Sequence, residues 1–133
     1  MIPEFNDYGY LPPGIYGATL DEIEQRFGQE SELRTVEMES LRWLDDLARE
    51  AGVLRIVVNG SFVTDAYEPN DVDCALLIDE SYPKDLKAGE ELKEGLPFIQ
   101  ASLLTQEAFD YYVGILYATD RRGVAKGMVE VLS

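Results

Sequence analysis

An Asn-Gly-Ser turn at residues 59–61 and an Asp-Val-Asp triplet at residues 71–73 constrain this chain more than any other feature. The turn follows one apolar segment, and the triplet begins a second. Side chains alternate along a strand, so two carboxylates separated by one residue point to the same face. Such a pair can hold a divalent cation, and the bare amides of a Gly-Ser turn can face an anion. Together they have the layout used when Mg²⁺ bridges triphosphate oxygens.

This layout predicts the roles of individual residues. Asp71 and Asp73 are the predicted metal ligands and catalytic carboxylates, and Gly60 and Ser61 are the predicted nucleotide-binding residues. Asn59 either orients the turn or is an ordinary strand-end residue. Taken alone, an Asp-x-Asp triplet is more often a solvated strand edge, so the prediction depends on its spacing from the Gly-Ser turn.

The composition of the chain limits the kinds of catalytic and metal site that it can form. The 133 residues fit one domain and contain no histidine, which excludes Ser-His-Asp catalysis and imidazole metal sites. Any metal must then be held by oxygen, which favours Mg²⁺, Mn²⁺ or Ca²⁺ over zinc. The single cysteine, Cys74, lies in an apolar segment and is predicted to be a buried core residue.

The chain is strongly acidic, with 11 Lys and Arg residues against 26 Asp and Glu residues and a formal net charge of −15. This charge repels nucleic acid, so general DNA or RNA binding is not expected. The acidic residues form a solvated surface, or part of them docks a basic protein partner. No apolar run is long enough to span a bilayer and no signal-like N-terminus is evident, so we expect a cytoplasmic protein without membrane contact.

Periodicity predicts an α/β (α+β) domain in which helices flank a mixed sheet. Residues 1–17 carry three of the six prolines and are predicted to form an extended arm packed on the body at 18–133. The predicted helices run from a Thr19 capping box to Gly28, from about 31 to 50, and from Thr105 to about 117. The predicted strands are 53–59, 71–79, 96–104 and 127–132, and residues 81–95 form a surface excursion with one helical turn or more.

The segment GSFVTDAYEPNDVD resembles the signature of the nucleotidyltransferase superfamily, in which a Gly-Ser turn precedes an acidic pair by about ten residues. The end segments MIPEFNDYGYLPPGI and TDRRGVAKGMVEVL resemble a family of small uncharacterised bacterial nucleotidyltransferase-like proteins. The resemblance spans nearly the whole chain, with the weakest match at residues 81–110. It implies the nucleotidyltransferase fold, and Lys126 belongs to the matching C-terminal segment.

The chain departs from that family at one position. Active nucleotidyltransferases generally carry a third carboxylate on a neighbouring strand, but the strand at 96–104 contains no acid. Gln100 or Ser102 would occupy the position, and neither is a good general base. Glu107 and Asp110 are nearby in sequence, but the helical pattern directs Asp110 outward.

Two further groups of residues have alternative interpretations. Lys126 contacts a phosphate or a carboxylate of a partner, or it belongs to a solubilising turn with Arg121 and Arg122. Tyrosines 111, 112 and 117 pack in the core or offer a surface for base stacking.

The leading hypothesis is a minimal Mg²⁺- or Mn²⁺-dependent nucleotidyltransferase-fold protein. It would bind a nucleoside triphosphate and transfer a nucleotidyl group to a hydroxyl of a partner, as a toxin–antitoxin component. The alternatives are a catalytically degenerate fold that acts as an antitoxin-like protein-binding module, and a nucleotide sensor that binds without turnover.

Overall fold

Two buried strands lie inside the sheet, as their apolar sequences predict. A computed structural model describes residues 1–132, in which helices and strands alternate irregularly along the chain. The elements, in chain order, are β1 (Ile15–Ala18), α1 (Leu20–Phe27), α2 (Glu32–Ala51), β2 (Arg55–Asn59), β3 (Val72–Leu77), α3 (Leu86–Glu94), β4 (Ile99–Leu104), α4 (Gln106–Tyr111) and β5 (Met128–Val131). A 3₁₀ turn, Gly60–Val63, follows β2, and a π-turn, Tyr112–Leu116, follows α4.

The five strands form one mixed sheet in the order β1-β5-β2-β3-β4. Strand β2 is antiparallel to both β3 and β5, whereas β1 pairs with β5 and β3 pairs with β4 in parallel. The predicted neighbouring strands, β2 and β3, are therefore adjacent, and the α+β class with a mixed sheet is confirmed.

Helices α1 and α2 begin and end where their capping residues predict. The Thr19 hydroxyl accepts from the Glu22 amide at 3.2 Å, and the Glu22 carboxylate accepts from the Thr19 amide at 3.0 Å, which completes the capping box. Ser31 caps α2, and Gly52 ends it in the left-handed conformation. Apolar residues of α1 and α2 pack on one face of the sheet against Ile56, Val58, Cys74 and Leu76.

The second face of the sheet is covered by α4 and the π-turn. Phe109 and Val113 pack there against Val57, Ala75 and Met128. The buried Cys74 thiol faces the α2 side, and burial raises its pKa far above the ordinary range. This supports its interpretation as a core residue.

Of three predicted segments compared with the structure, the first and the last differ from it, and the middle one agrees. Residues 15–17 were assigned to the N-terminal arm, but they belong to strand β1 and pair with β5. The excursion at 81–95 contains the full helix α3, whose cap is Asp85. The helix predicted from Thr105 to 117 is α-helical only to Tyr111, and its last turn has π geometry with an amide-to-carbonyl bond from Tyr117 to Tyr112 of 2.9 Å.

Residues 1–14 have no regular secondary structure and lie against the body. The amide of Asp65 donates to the Gly9 carbonyl at 2.9 Å, and the Tyr10 hydroxyl donates to Asp120 at 2.7 Å. Within the described part of the chain, no helix combines the length and apolar character that crossing a membrane requires.

Candidate functional site

The Gly-Ser turn and the Asp-x-Asp triplet meet at one end of the central strands. Strand β2 ends at Asn59, and Gly60 then adopts a φ of +74°, which favours glycine. A Cβ atom at Gly60 would overlap the Oδ2 atom of Asp73. The carboxylate of Asp73 therefore lies directly against the backbone of Gly60, and both turn geometry and space require glycine at this position.

The strand register arranges three polar side chains in a row. Asn59 of β2 is opposite Asp73 of β3, and Asp73 is opposite Gln100 of β4. Directly paired residues share a face, so all three side chains lie on the face that α4 and the π-turn cover. Ser102 is two residues further along β4, opposite Ala75, and faces the same side.

Asn59 is the most unusual member of this row. Its side chain is 1% exposed, and neither Oδ1 nor Nδ2 has a hydrogen-bond partner among residues 1–132. Leaving a buried polar atom without a partner costs about 1–3 kcal/mol. Such a side chain beside two carboxylates is expected where a ligand or its hydration shell completes the hydrogen bonding. Of the two interpretations of Asn59, this favours a role at the site.

Asp73 lies in an unfavourable environment for its charge. Burial and, to a smaller extent, the nearby charge of Asp71 raise the pKa of Asp73 to about 6, and Lys126 opposes the shift. A cation at this position would relieve the same repulsion between the two carboxylates.

Lys126 lies near enough to this site for its charge to lower the pKa of Asp73, and hydrogen bonds fix the backbone around it. Its amide donates to the Ala118 carbonyl, and the amide of Gly127 donates to Leu11 of the N-terminal arm, both at 2.9 Å. Arg121 and Arg122 are exposed in the preceding turn, so the three basic residues do not act as one cluster.

The other predicted candidates are elsewhere. Glu107 and Asp110 of α4 are exposed, and Asp110 accepts a 2.8 Å hydrogen bond from Gln106. The rings of Tyr112 and Tyr117 lie 5.5 Å apart and pack at the edge of the cluster around Phe109. This arrangement supports core packing for these two tyrosines.

One buried carboxylate was not predicted. Glu37 of α2 is 0% exposed, and neither carboxylate oxygen has a hydrogen-bond partner in the part of the chain that the structure describes. Burial raises the pKa of Glu37 to about 7; Arg34 opposes the shift, and Asp71 adds to it. The signal was present in the sequence, because positions 34 and 37 continue the buried stripe of Leu41, Leu44 and Ala48 at helical spacing.

The site suits a hard cation whose coordination shell is completed by oxygens from outside the protein. Its donors are all oxygens, which match Mg²⁺ or Mn²⁺. Among residues 1–132, however, no three or more His, Cys, Asp and Glu side chains are grouped so as to hold a metal ion. Asp71 and Asp73 would thus supply only part of a coordination shell, and phosphate oxygens and water would supply the rest. Mg²⁺ is commonly bound in this manner.

Comparison with protein families finds a match that covers residues 3–132. The chain belongs to DUF6932, a family of unknown function. The DUF6932 assignment covers the N-terminal arm, the candidate site and β5 together, and it assigns no activity to them. A search of curated proteins and a search of solved structures each found no match. The resemblance to nucleotidyltransferases therefore stays a prediction from the sequence.

Proposed function

We propose that this protein binds a nucleoside triphosphate together with Mg²⁺ or Mn²⁺ at the end of strands β2 and β3. The observation that carries the proposal is the close approach of the Asp73 carboxylate to Gly60, at the end of a strand where only glycine fits. This juxtaposition brings a cation ligand against the backbone of the Gly-Ser turn, whose amides can face an anion.

In this proposal each residue has a distinct role. Asp71 and Asp73 hold the cation, and the Ser61 hydroxyl and neighbouring amides donate to phosphate oxygens. Asn59 completes the polar wall beside Asp73, and Lys126 offsets phosphate charge from the other side. The cation would neutralise charge on the phosphates, which is the principal requirement of phosphoryl transfer.

Nucleotidyl transfer by the isolated chain is proposed to be weak or absent. Gln100 is the residue on β4 that pairs with Asp73, where a third carboxylate would be expected. A carboxamide neither accepts a proton near neutral pH nor neutralises a second cation, and loss of a general base typically costs about 10²–10⁴-fold in rate. Binding without turnover, in the cytoplasm, is therefore the activity we propose for the chain alone.

Calorimetric titration with MgATP, MgGTP, MgCTP and MgUTP tests this proposal. The double variant Asp71→Asn/Asp73→Asn should lose binding, whereas the exposed pair Glu107→Gln/Asp110→Asn should bind as the wild type does. Thermal unfolding checks that all three proteins fold. The absence of heat with every nucleotide, or equal heats for the wild type and the double Asp variant, would reject the proposal.

A second candidate function is binding of a basic protein partner, as in an antitoxin. The observation that favours it is strand β4, which pairs with β3 on one side and has no strand on its other side among residues 1–132. Phe98 and Leu103 at this edge are 41% and 40% exposed. Open strand edges are common sites of pairing with another chain.

Co-expression with the product of a neighbouring gene that encodes a basic protein tests this second function. Leu103→Asp should abolish co-purification, whereas Ile115→Asp, at an exposed position on the π-turn, should retain it. Co-purification that is insensitive to Leu103→Asp would exclude the β4 edge as the docking surface.

A further inference from the structure

A second concave region lies on the same sheet face as the candidate site. This cavity has a volume of about 340 Å³ and lies between strands β1 and β5 and the π-turn. Its lining includes Ile15, Val113, Gly114, Ala118, Lys126 and Met128. The volume is near the lower end of the range for small-molecule pockets, about 300–1,000 Å³.

The sheet register aligns this cavity with the candidate site. Ile15 pairs with Met128, and both line the cavity. Because Val58 is opposite Val129 in an antiparallel pair, the next position along places Met128 opposite Asn59. Asn59 in turn is opposite Asp73. Met128 and Asp73 are therefore two strand spacings apart, roughly 10 Å, since neighbouring strands lie about 4.8 Å apart.

Polarity changes along this row. The Asp73 end carries two carboxylates and the buried Asn59 amide, whereas the cavity end is mostly apolar. Lys126 belongs to both ends, because it lines the cavity and its charge lowers the pKa of Asp73. The row thus presents a cation-binding end, a basic side chain and an apolar recess in succession.

We infer that this cavity receives the nucleoside end of the triphosphate whose phosphates lie at Gly60, Ser61, Asp71 and Asp73. This inference rests on the proposed function. Its basis is the matching order of chemical groups: phosphates at the carboxylate end, and a flat apolar ring in a recess about 10 Å away. The small residues Gly14, Gly114, Ala118 and Ala125 give the recess a wall that a ring can approach closely.

A cavity-filling variant tests binding of the nucleoside end of the ligand separately from binding of its phosphates. Gly114 lines the cavity, and nothing lies within 4 Å of the position that its Cβ would occupy. Gly114→Leu should therefore fill the recess without displacing packed atoms. We expect it to weaken MgATP and MgGTP binding by about tenfold or more while leaving the binding of magnesium tripolyphosphate within about twofold.

Matched variants control for indirect effects. Gly114→Ala should have a smaller effect than Gly114→Leu, and Ile115→Ala, on the same turn but outside the cavity lining, should have none. Ala125→Leu fills the recess from an exposed position and should reproduce the Gly114→Leu result if that variant folds poorly. Thermal unfolding of each variant identifies any that misfold.

Failure of the inference and failure of the proposed function have different signatures. Unchanged MgATP affinity in both cavity-filling variants, or an equal loss for tripolyphosphate, would overturn the inference without rejecting the proposed function, provided that the wild type binds both ligands. In that case the cavity would serve another group, such as a side chain of an acceptor. A wild-type protein that binds neither tripolyphosphate nor any nucleotide would overturn both.

Discussion

Gly60 and Gly123 have similar backbone conformations, with φ of +74° and +81°, but different surroundings. A Cβ at Gly60 would overlap Asp73, whereas nothing lies within 4 Å of a Cβ at Gly123. The two glycines therefore separate the cost of a left-handed backbone from the cost of displacing the Asp73 carboxylate.

Alanine at each glycine tests this difference. Gly123→Ala should lower the free energy of unfolding by about 1–2 kcal/mol through backbone strain alone. Gly60→Ala should lose that amount and about 1–3 kcal/mol more through overpacking. Urea denaturation measures both. Equal losses would mean that the Asp73 carboxylate is free to move away from Gly60.

Glu37 gives a second prediction at this scale. Its pKa is about 7 in the folded protein, above the ordinary 4.5, so the folded state holds the proton more tightly than the unfolded state. Its stabilising contribution is complete below about pH 4.5 and is lost as the pH rises through about 7. Glu37→Gln keeps the uncharged form at every pH. It should be more stable than the wild type at pH 8, by up to about 3 kcal/mol, and nearly equal at pH 4.5.

Denaturant unfolding at pH 4.5, 6, 7 and 8 measures the effect, and Glu39→Gln, at an exposed position of α2, is the control. The control should change little. Destabilisation of Glu37→Gln by the same amount at every pH would contradict a buried carboxylate with a raised pKa.

Helix α2 and the segment that follows Gly60 are joined by one side chain. The Arg34 guanidinium is 2% exposed and donates to the carbonyls of Phe27 at 2.9 Å, Phe62 at 2.7 Å, Thr64 at 2.9 Å and Ala66 at 2.5 and 3.0 Å. A planar fork with five donors suits several carbonyls around it, and an ammonium group does not.

Arg34→Lys should therefore destabilise the protein by about 2–4 kcal/mol, because buried carbonyls would lose their donors. Hydrogen exchange should accelerate most at the amides of residues 62–66. Arg42→Lys is the matched control, since Arg42 forms exposed ion pairs with Asp21 and Glu24. It should cost less than about 1 kcal/mol. Comparable losses for the two variants would argue against the role of Arg34.

Elements with local signals were predictable, and elements that depend on distant partners were not. The capping box at Thr19 and Gly52 at the end of α2 are encoded within a few residues. Strand β1 has only four residues, and its pairing partner is β5. Nothing near residue 15 in the sequence indicates that pairing, so the segment was assigned to the arm.

The same distinction applies to the candidate site. The Asp-x-Asp triplet and the Gly-Ser turn could be found by spacing, and Glu37 by its place on the buried stripe of α2, whereas burial of Asn59 depends on how the elements around the end of β2 pack. The cavity beside Lys126 depends on β1 and the π-turn, neither of which was predicted.

The net charge of −15 gives a prediction for the molecule as a whole. Self-repulsion opposes the compact state and is screened by salt, whereas exposed ion pairs that salt weakens contribute only about 0–1 kcal/mol each. Raising NaCl from about 20 to 500 mM should therefore raise the Tm by a few degrees, since about 1 kcal/mol shifts the Tm by about 4 °C in a chain of this size.

Differential scanning calorimetry measures this shift. Choline chloride at the same ionic strength should give the same result, because screening does not depend on the identity of the cation. A Tm that falls with salt would show that specific ion pairs outweigh the general repulsion.

The pairing of β1 with β5 has a consequence for the order in which the molecule is built. On the ribosome, β1 emerges more than a hundred residues before the strand that it pairs with. Strands so far apart in the sequence pair late in folding, because the intervening chain must be ordered first. Lys126 and Met128 arrive with β5, so one wall of the cavity is completed only at that stage. A nascent chain that has already formed the Gly60 turn and β3 therefore has its carboxylates in place before the neighbouring cavity is complete.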